Sequence, residues 1–266
     1  MIPHTLTAEN YFSPENSMKH LGSSQFKSFL RCEAAALAEL RGEYQREVSD
    51  ALLVGSYVDA HYEGTLDIFR AQHPELFTRS GELAAKYKHA EYMIQRAERD
   101  DLFRRYMSGD KQVIMVGEIA GVPYKIKIDS YHPGACIVDL KCVKDLKPVW
   151  NEEKACRQHF IDYWGYTTQG AVYREIVRQN TGKVLPFYIA AITKEKEPQL
   201  RLYWVPGEVL DDRLAEVESL TPRIQRIKGG TLTPQRCGDC AYCRFTNILT
   251  EPVNYLDELE VYDAED

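Results

Sequence analysis

Apolar residues recur at helical spacing from Ser23 onward. Phe26, Phe29, Leu30, Ala34 and Leu37 draw one stripe on a helix that Ser23 or Ser24 caps and that runs through residues 25–43, with Cys32 inside it. A second helical stretch covers residues 50–69 and a third, more polar one covers residues 83–106. The period then changes from 3.6 to 2. Residues 113–120, 124–130 and 136–143 read as three strands, separated first by Gly121 and Pro123 and then by His132-Pro133-Gly134, so they form a meander. After a proline-containing loop, positions 163, 166, 170, 173 and 177 mark a helix over 158–180 that ends at Thr181-Gly182. Residues 184–193 and 199–205 read as two further strands, and residues 208–228 as a last long helix. This order gives a mixed α/β (α+β) fold with a central sheet of about five strands flanked by helices. No internal repeat is visible, and the expectation is one domain over residues 1–250 followed by a tail.

Composition narrows the class without naming a function. With 44% hydrophobic and 27% charged residues in 266, the chain can bury a sizeable core. The longest apolar runs, such as residues 184–192, fall far short of a membrane span, and the first ten residues lack the profile of a secretion signal. A cytoplasmic protein without a membrane partner is therefore expected. The net charge of −7 comes from one place: residues 251–266 carry seven acids and no Lys or Arg, which leaves 33 acids against 33 bases in the rest. A neutral body with an acidic tail neither supports nor excludes nucleic acid as a partner.

Two constellations carry chemistry. On the second meander strand, alternation puts Lys125, Lys127 and Asp129 on one face, and on the third it groups Ile137, Asp139 and Lys141. Ionised groups at the ends of adjacent apolar strands are costly unless paired or coordinating. A hard cation such as Mg²⁺ or Mn²⁺ answers this, and a lysine beside it can orient or activate an attacking water. The second constellation is Cys237, Cys240 and Cys243, a CxxCxxC run. In a reducing compartment such a run reads as a metal site lacking one ligand, because zinc and cubane iron–sulfur centres take four.

Asp129 followed by Asp139-Leu140-Lys141 resembles the PD-(D/E)xK nuclease signature. Residues 23–32 resemble the opening helix of the RecB-type branch, residues 55–64 its glycine-plus-four metal-ligand helix, and residues 169–173 its QxxxY motif. The resemblance spans about residues 20–245 and is closest to phage recombination exonucleases of the RecE kind. It implies a restriction-endonuclease-like core, with helices over 20–106, a catalytic meander over 113–143, the QxxxY helix over 158–180 and a closing segment over 184–245.

The resemblance also implies roles. Asp59, Asp129, Asp139 and the Leu140 carbonyl would hold the cation, Lys141 would serve the water, and Gln169 with Tyr173 would act on the scissile phosphate or the lysine. Where relatives often carry histidine this chain has Asp59. His61 lies two residues on, about 200° round a helix, so only one of the two can face the metal, and a carboxylate suits Mg²⁺ better. Glu118 can serve a second metal or a salt bridge. Cys32 occupies the place of the isolated cysteine in cluster-bearing relatives, completing Cys237, Cys240 and Cys243 as a [4Fe–4S] site or a zinc site, while Cys136, Cys142 and Cys156 read as ordinary thiols. The implied activity is resection of duplex DNA ends, 5′ to 3′, for a single-strand annealing protein, by a ring-forming homo-oligomer. Two rivals are an end trimmer of the CRISPR-adaptation kind and a non-catalytic DNA-binding scaffold of the same fold. The complete Asp129, Asp139 and Lys141 set argues against the scaffold.

Overall fold

The structure is a computed structural model that describes residues 6–152 and 154–256. It opens with α1 (Pro14–Lys19), α2 (Ser23–Arg31) and α3 (Glu33–Leu40). The single helix expected over 23–43 is therefore two. Cys32 breaks it in extended conformation (φ −163°, ψ 110°), and its sulfur accepts the Ala35 N–H, capping α3. The stretch expected over 50–69 divides likewise into α4 (Asp50–Glu63) and α5 (Leu66–Gln72) around Gly64, and a 3₁₀ turn follows at Pro74–Leu76. The third stretch yields α6 (His89–Glu98) and α7 (Asp101–Tyr106), with Asp100 capping α7 through the Phe103 N–H.

Next come β1 (Asp110–Ile119), β2 (Val122–His132) and β3 (Cys136–Val143). A small hairpin of β4 (Val149–Asn151) and β5 (Cys156–Gln158) stands apart from the main sheet and was not foreseen, because strands of three residues with no buried position are too short to show a period. The helix expected over 158–180 is α8 (Phe160–Tyr163) and α9 (Tyr166–Thr181), separated by Gly165 at φ 62°. The chain closes through β6 (Phe187–Thr193), β7 (Leu200–Val205), α10 (Gly207–Lys228) and α11 (Ala241–Phe245). The acidic tail lies mostly outside the description, since residues 257–266 are not among the described residues.

The main sheet runs β1-β2-β3-β6-β7, with β3 and β6 parallel and the other neighbours antiparallel. Alternation on the central strands feeds two cores. Ile137, Phe187 and Ile189 pack with α2, α9 and α10 on one face, and Val138, Leu140, Ala190 and Ile192 pack with α4 and α6 on the other. Both faces are covered, as a parallel pair at the centre requires. Gly170 sets the distance of α9 from the sheet, for a β-carbon there would lie 2.5 Å from the Phe187 ring.

One departure from regular pairing matters for function. β2 and β3 are paired only from Ser130–Val138 to His132–Cys136. Beyond that the ladder between them ends, and β2 is bridged by Leu21 instead: the Leu21 N–H donates to Pro123 O (2.8 Å) and its carbonyl accepts from Lys125 N (2.8 Å). The fork leaves Asp129 and Asp139 facing one another one residue past the last pair.

Candidate active site

The fork explains why charged side chains gather there. Asp129 on β2 is fixed by the Leu140 N–H, which donates to its Oδ2 at 2.9 Å in place of the missing strand pairing. Asp139 and Lys141 on β3 share a face and form an ion pair. Asp139 is 1% exposed, and its Oδ1 accepts from Gln169 Nε2 at 2.6 Å, so α9 holds this carboxylate from one layer of the fold. Asp59 arrives from α4 in the other layer. Together with Leu140, Lys125, Lys127 and Tyr173 these residues line one cavity of about 400 Å³.

The electrostatics of the cavity call for a cation. Desolvation by the surrounding protein raises Asp59 to about 7 against the pull of Lys141, and the Glu63 and Asp139 carboxylates push it up as well. Asp129 is raised to about 8, by burial first and by Asp139 second. Burial acts against the Lys141 ammonium, but Asp139 and Asp129 outweigh it and its pKa ends raised. One ammonium thus stands among three carboxyl groups, of which Asp139 is buried, Asp129 half-buried and Asp59 exposed, and among the described residues the buried Asp139 Oδ2 accepts no directed hydrogen bond beside its ion-pair contact with Lys141. Hard oxygen donors in this number fit Mg²⁺ or Mn²⁺. Asp59, Asp129, Asp139 and the Leu140 carbonyl are the residues that would hold it.

Several residues named from sequence take different positions from one another. His61 points away from this cavity, its Nε2 lying 3.4 Å from Glu98. Gln169 contacts Asp139, and Tyr173 donates its hydroxyl to the Lys127 carbonyl at 2.9 Å, so the two i,i+4 partners bind β3 and β2 respectively, on either side of the fork. Both side chains line the cavity beside Asp139 and Lys141. Glu118 is exposed, pairs with Pro123 at the far end of β1 and does not reach the cavity.

Sequence reasoning missed Tyr166 and Lys27. Tyr166 stands beside Lys141, whose amine lies 5.1 Å from the ring centroid, and Lys27 lies 5.3 Å from the same ring. Burial, then the nearby Lys141 ammonium, lowers Lys27 to about 8. The available signal was the position of Lys27 one helical turn after Ser23 and Ser24 in the opening motif. The segment before α2 was also unread. Lys125 donates to Tyr11 O, and Lys228 donates to Ser17 O, His20 O and Gln25 Oε1, so two buried lysines fasten residues 11–20 over the fork.

The four expected cysteines converge. The sulfurs of Cys32, Cys237, Cys240 and Cys243 all lie within 4.8 Å of one another. Cys32 Sγ is 3.5 Å from Cys243 Sγ, and Cys237 Sγ is 3.9 Å from it. Backbone N–H groups of Cys240 and Cys243 donate to the sulfurs of Cys237 and Cys240, each at 3.4 Å, and the former helps draw Cys237 down to about 7. Thiolates on one tetrahedral ion, at about 2.3 Å each, stand roughly 3.8 Å apart. The spacing suits a single ion directly, while a cubane, whose thiolates sit on four different irons, requires the 237–243 loop to open. Around the cluster, Arg223 grips Glu33 through two bonds (2.6 and 2.9 Å), and Glu33 also accepts from Gln235 N at 2.7 Å.

Comparison with known proteins agrees with this geometry. Among functionally curated proteins none matches the chain. A crystal structure of a candidate exonuclease from Eubacterium rectale superposes with a TM-score of 0.90 at 46% identity, covering 96% of this chain and 98% of that one. A family model described as a PDDEXK-like domain of unknown function matches residues 22–246, from the residue before α2 to the one that follows the cysteine helix. The two acids and lysine at the β2–β3 fork, the matched span and the shared fold converge: this chain belongs to the PDDEXK-like family.

Proposed function

We infer that the protein is a divalent-cation-dependent deoxyribonuclease that degrades linear duplex from its ends. The observation that carries this is the convergence of Asp59, Asp129, Asp139 and Lys141 in one cavity at the β2–β3 fork. The candidate exonuclease of the same fold supports action at ends.

A cation bound by these acids supplies charge neutralisation at a phosphodiester and lowers the pKa of water. The remaining work belongs to the chain. Gln169 holds Asp139 in its orientation. Lys141, fixed by Asp139, places a positive charge and its remaining donors where an attacking water and the scissile phosphate would meet. The Leu140 N–H locks Asp129, so the acids are set before substrate arrives.

The finer reading is resection in the 5′ to 3′ direction for a single-strand annealing protein, by a ring-shaped homo-oligomer whose enclosure of DNA gives processivity. The cysteine cluster serves as a structural metal centre that ties α3 to the 235–246 segment. The test is a comparison of end-labelled linear duplex with covalently closed circular DNA in the presence of Mg²⁺. Linear DNA should be consumed and circles left intact. Nicked or linearised circles would replace the exonuclease reading with an endonuclease.

A further inference from the structure

Two aromatic rings before α1 stand beside the catalytic cavity with no part in the chemistry above. Tyr11 is 8% exposed; its carbonyl accepts from Lys125, whose amine also lies 4.6 Å from the Tyr11 ring centroid. Phe12 meets Tyr11 edge-on at 4.9 Å and leaves 72% of its surface open.

An isolated exposed phenylalanine signifies nothing on its own. Its position does. Phe12, Lys127 and Asp59 line both the catalytic cavity and a second cavity of about 690 Å³ that runs along α4 and α5. Across this second cavity stands Ile68, 58% exposed. The Lys127 amine lies 5.3 Å from the Phe12 ring centroid and 3.4 Å from Glu63. The boundary between the two cavities therefore offers a cation and an open aromatic ring next to the acids that would engage a phosphate.

We propose that Phe12 and the adjoining cavity form a nucleobase subsite, in which the base next to the scissile phosphate stacks on the Phe12 ring while Lys127 faces the backbone. The subsite rests on the nuclease reading of the fork. Stacking suits an enzyme without sequence preference, since every base presents a π-face. Lys125 fixes the Tyr11 backbone next to Phe12 and the Tyr11 ring meets Phe12 edge-on, so part of the ordering precedes binding. Aromatic contact at the terminal nucleotide also explains why this ring is exposed at the cavity rim while its neighbour is buried.

The test pairs kinetics with a binding readout on the full-length protein. Phe12→Ala should lower kcat/KM on linear duplex roughly 5- to 150-fold, mainly through KM, and Phe12→Trp should stay within about twofold of the parent. Circular dichroism should show the fold of both variants unchanged, as the ring buries little surface. Separately, duplex carrying 5-iodouracil at its terminal positions, irradiated with the parent protein, should crosslink to the peptide containing Phe12. A kcat/KM for Phe12→Ala within about twofold of the parent, or a crosslink that maps elsewhere, would overturn the subsite. If the parent protein released no nucleotides, the nuclease reading would fall, and the crosslink would still decide whether the subsite binds a base.

Discussion

Gln169 offers the sharpest local perturbation, because its side chain touches Asp139 and can be changed with little change in volume. Gln169→Leu removes a donor held at 2.6 Å from a carboxylate that is 1% exposed. A hydrogen bond to a charged acceptor contributes about 1.5–3 kcal/mol, which is roughly a 10- to 150-fold change in an equilibrium or rate constant. An independent guide agrees: losing an outer partner of a metal ligand costs about 10–100-fold in metal affinity or activity. Asp139 keeps its ion pair with Lys141 but its buried Oδ1 loses a donor, so the melting temperature should fall by about 3–12 °C, on a scale of about 2–4 °C per kcal/mol. The assay is nucleotide release from linear duplex over a titration of Mg²⁺. The variant should need more cation for half-maximal activity and stay about tenfold or more below the parent at limiting cation. Gln169→Glu should be worse near neutrality, since two carboxylates at that distance cannot both ionise. An unchanged cation midpoint with activity within about threefold of the parent would show that Lys141 alone positions Asp139 and that the QxxxY helix has no part in the site.

Three further outcomes follow. Asp59→Ala should lose cation binding by calorimetry while His61→Ala retains it; the reverse would demand a shifted α4 register. Cys32→Ala should reduce the zinc or iron content of the purified protein to under about a tenth, and expose residues 236–246 to protease. The double variant with Cys240→Ala should add little, whereas additive destabilisation would make Cys32 an ordinary thiol. Asp59 and Asp129 have folded-state values of about 7 and about 8, raised above the ordinary carboxyl range chiefly by desolvation. Groups raised in this way contribute stability below the unfolded value near 4, and that contribution is lost as pH climbs through 7 and 8. Cation-free protein should accordingly melt lower at about pH 8.5 than at about pH 5, and Mg²⁺ should raise the melting temperature mainly at the higher pH. Equal Mg²⁺ effects at both would contradict the clustered-acid account.

The parts of the site that were legible in the sequence are those with a local cause. Cys136–Val143 was delimited to the residue, because turn residues bound it and its apolar positions alternate around Asp139 and Lys141. Motif spacing points to Asp129 and Asp139, yet the end of β2–β3 pairing beside them, and the bridge that Leu21 makes to β2 from a hundred residues earlier, do not show in it. Such a bridge is a long-range contact with no period to announce it. Helical periodicity ran straight across Cys32, Gly64 and Gly165, since a stripe of apolar residues persists when the backbone bends and resumes. Tyr11 and Phe12 lie in turns, where no pattern links them to Lys125 or to the cavity.

The most direct test of the central claim is Mg²⁺-dependent release of nucleotides from end-labelled linear duplex by the parent protein and by Asp139→Ala and Lys141→Ala, each shown by circular dichroism to be folded. Asp139 and Lys141 meet at the fork, so the parent should degrade the duplex only with cation present, and both variants should be inactive while still binding DNA. Near-parental turnover in either variant, or cation-independent degradation by the parent, would place the chemistry outside the Asp129–Asp139–Lys141 cavity.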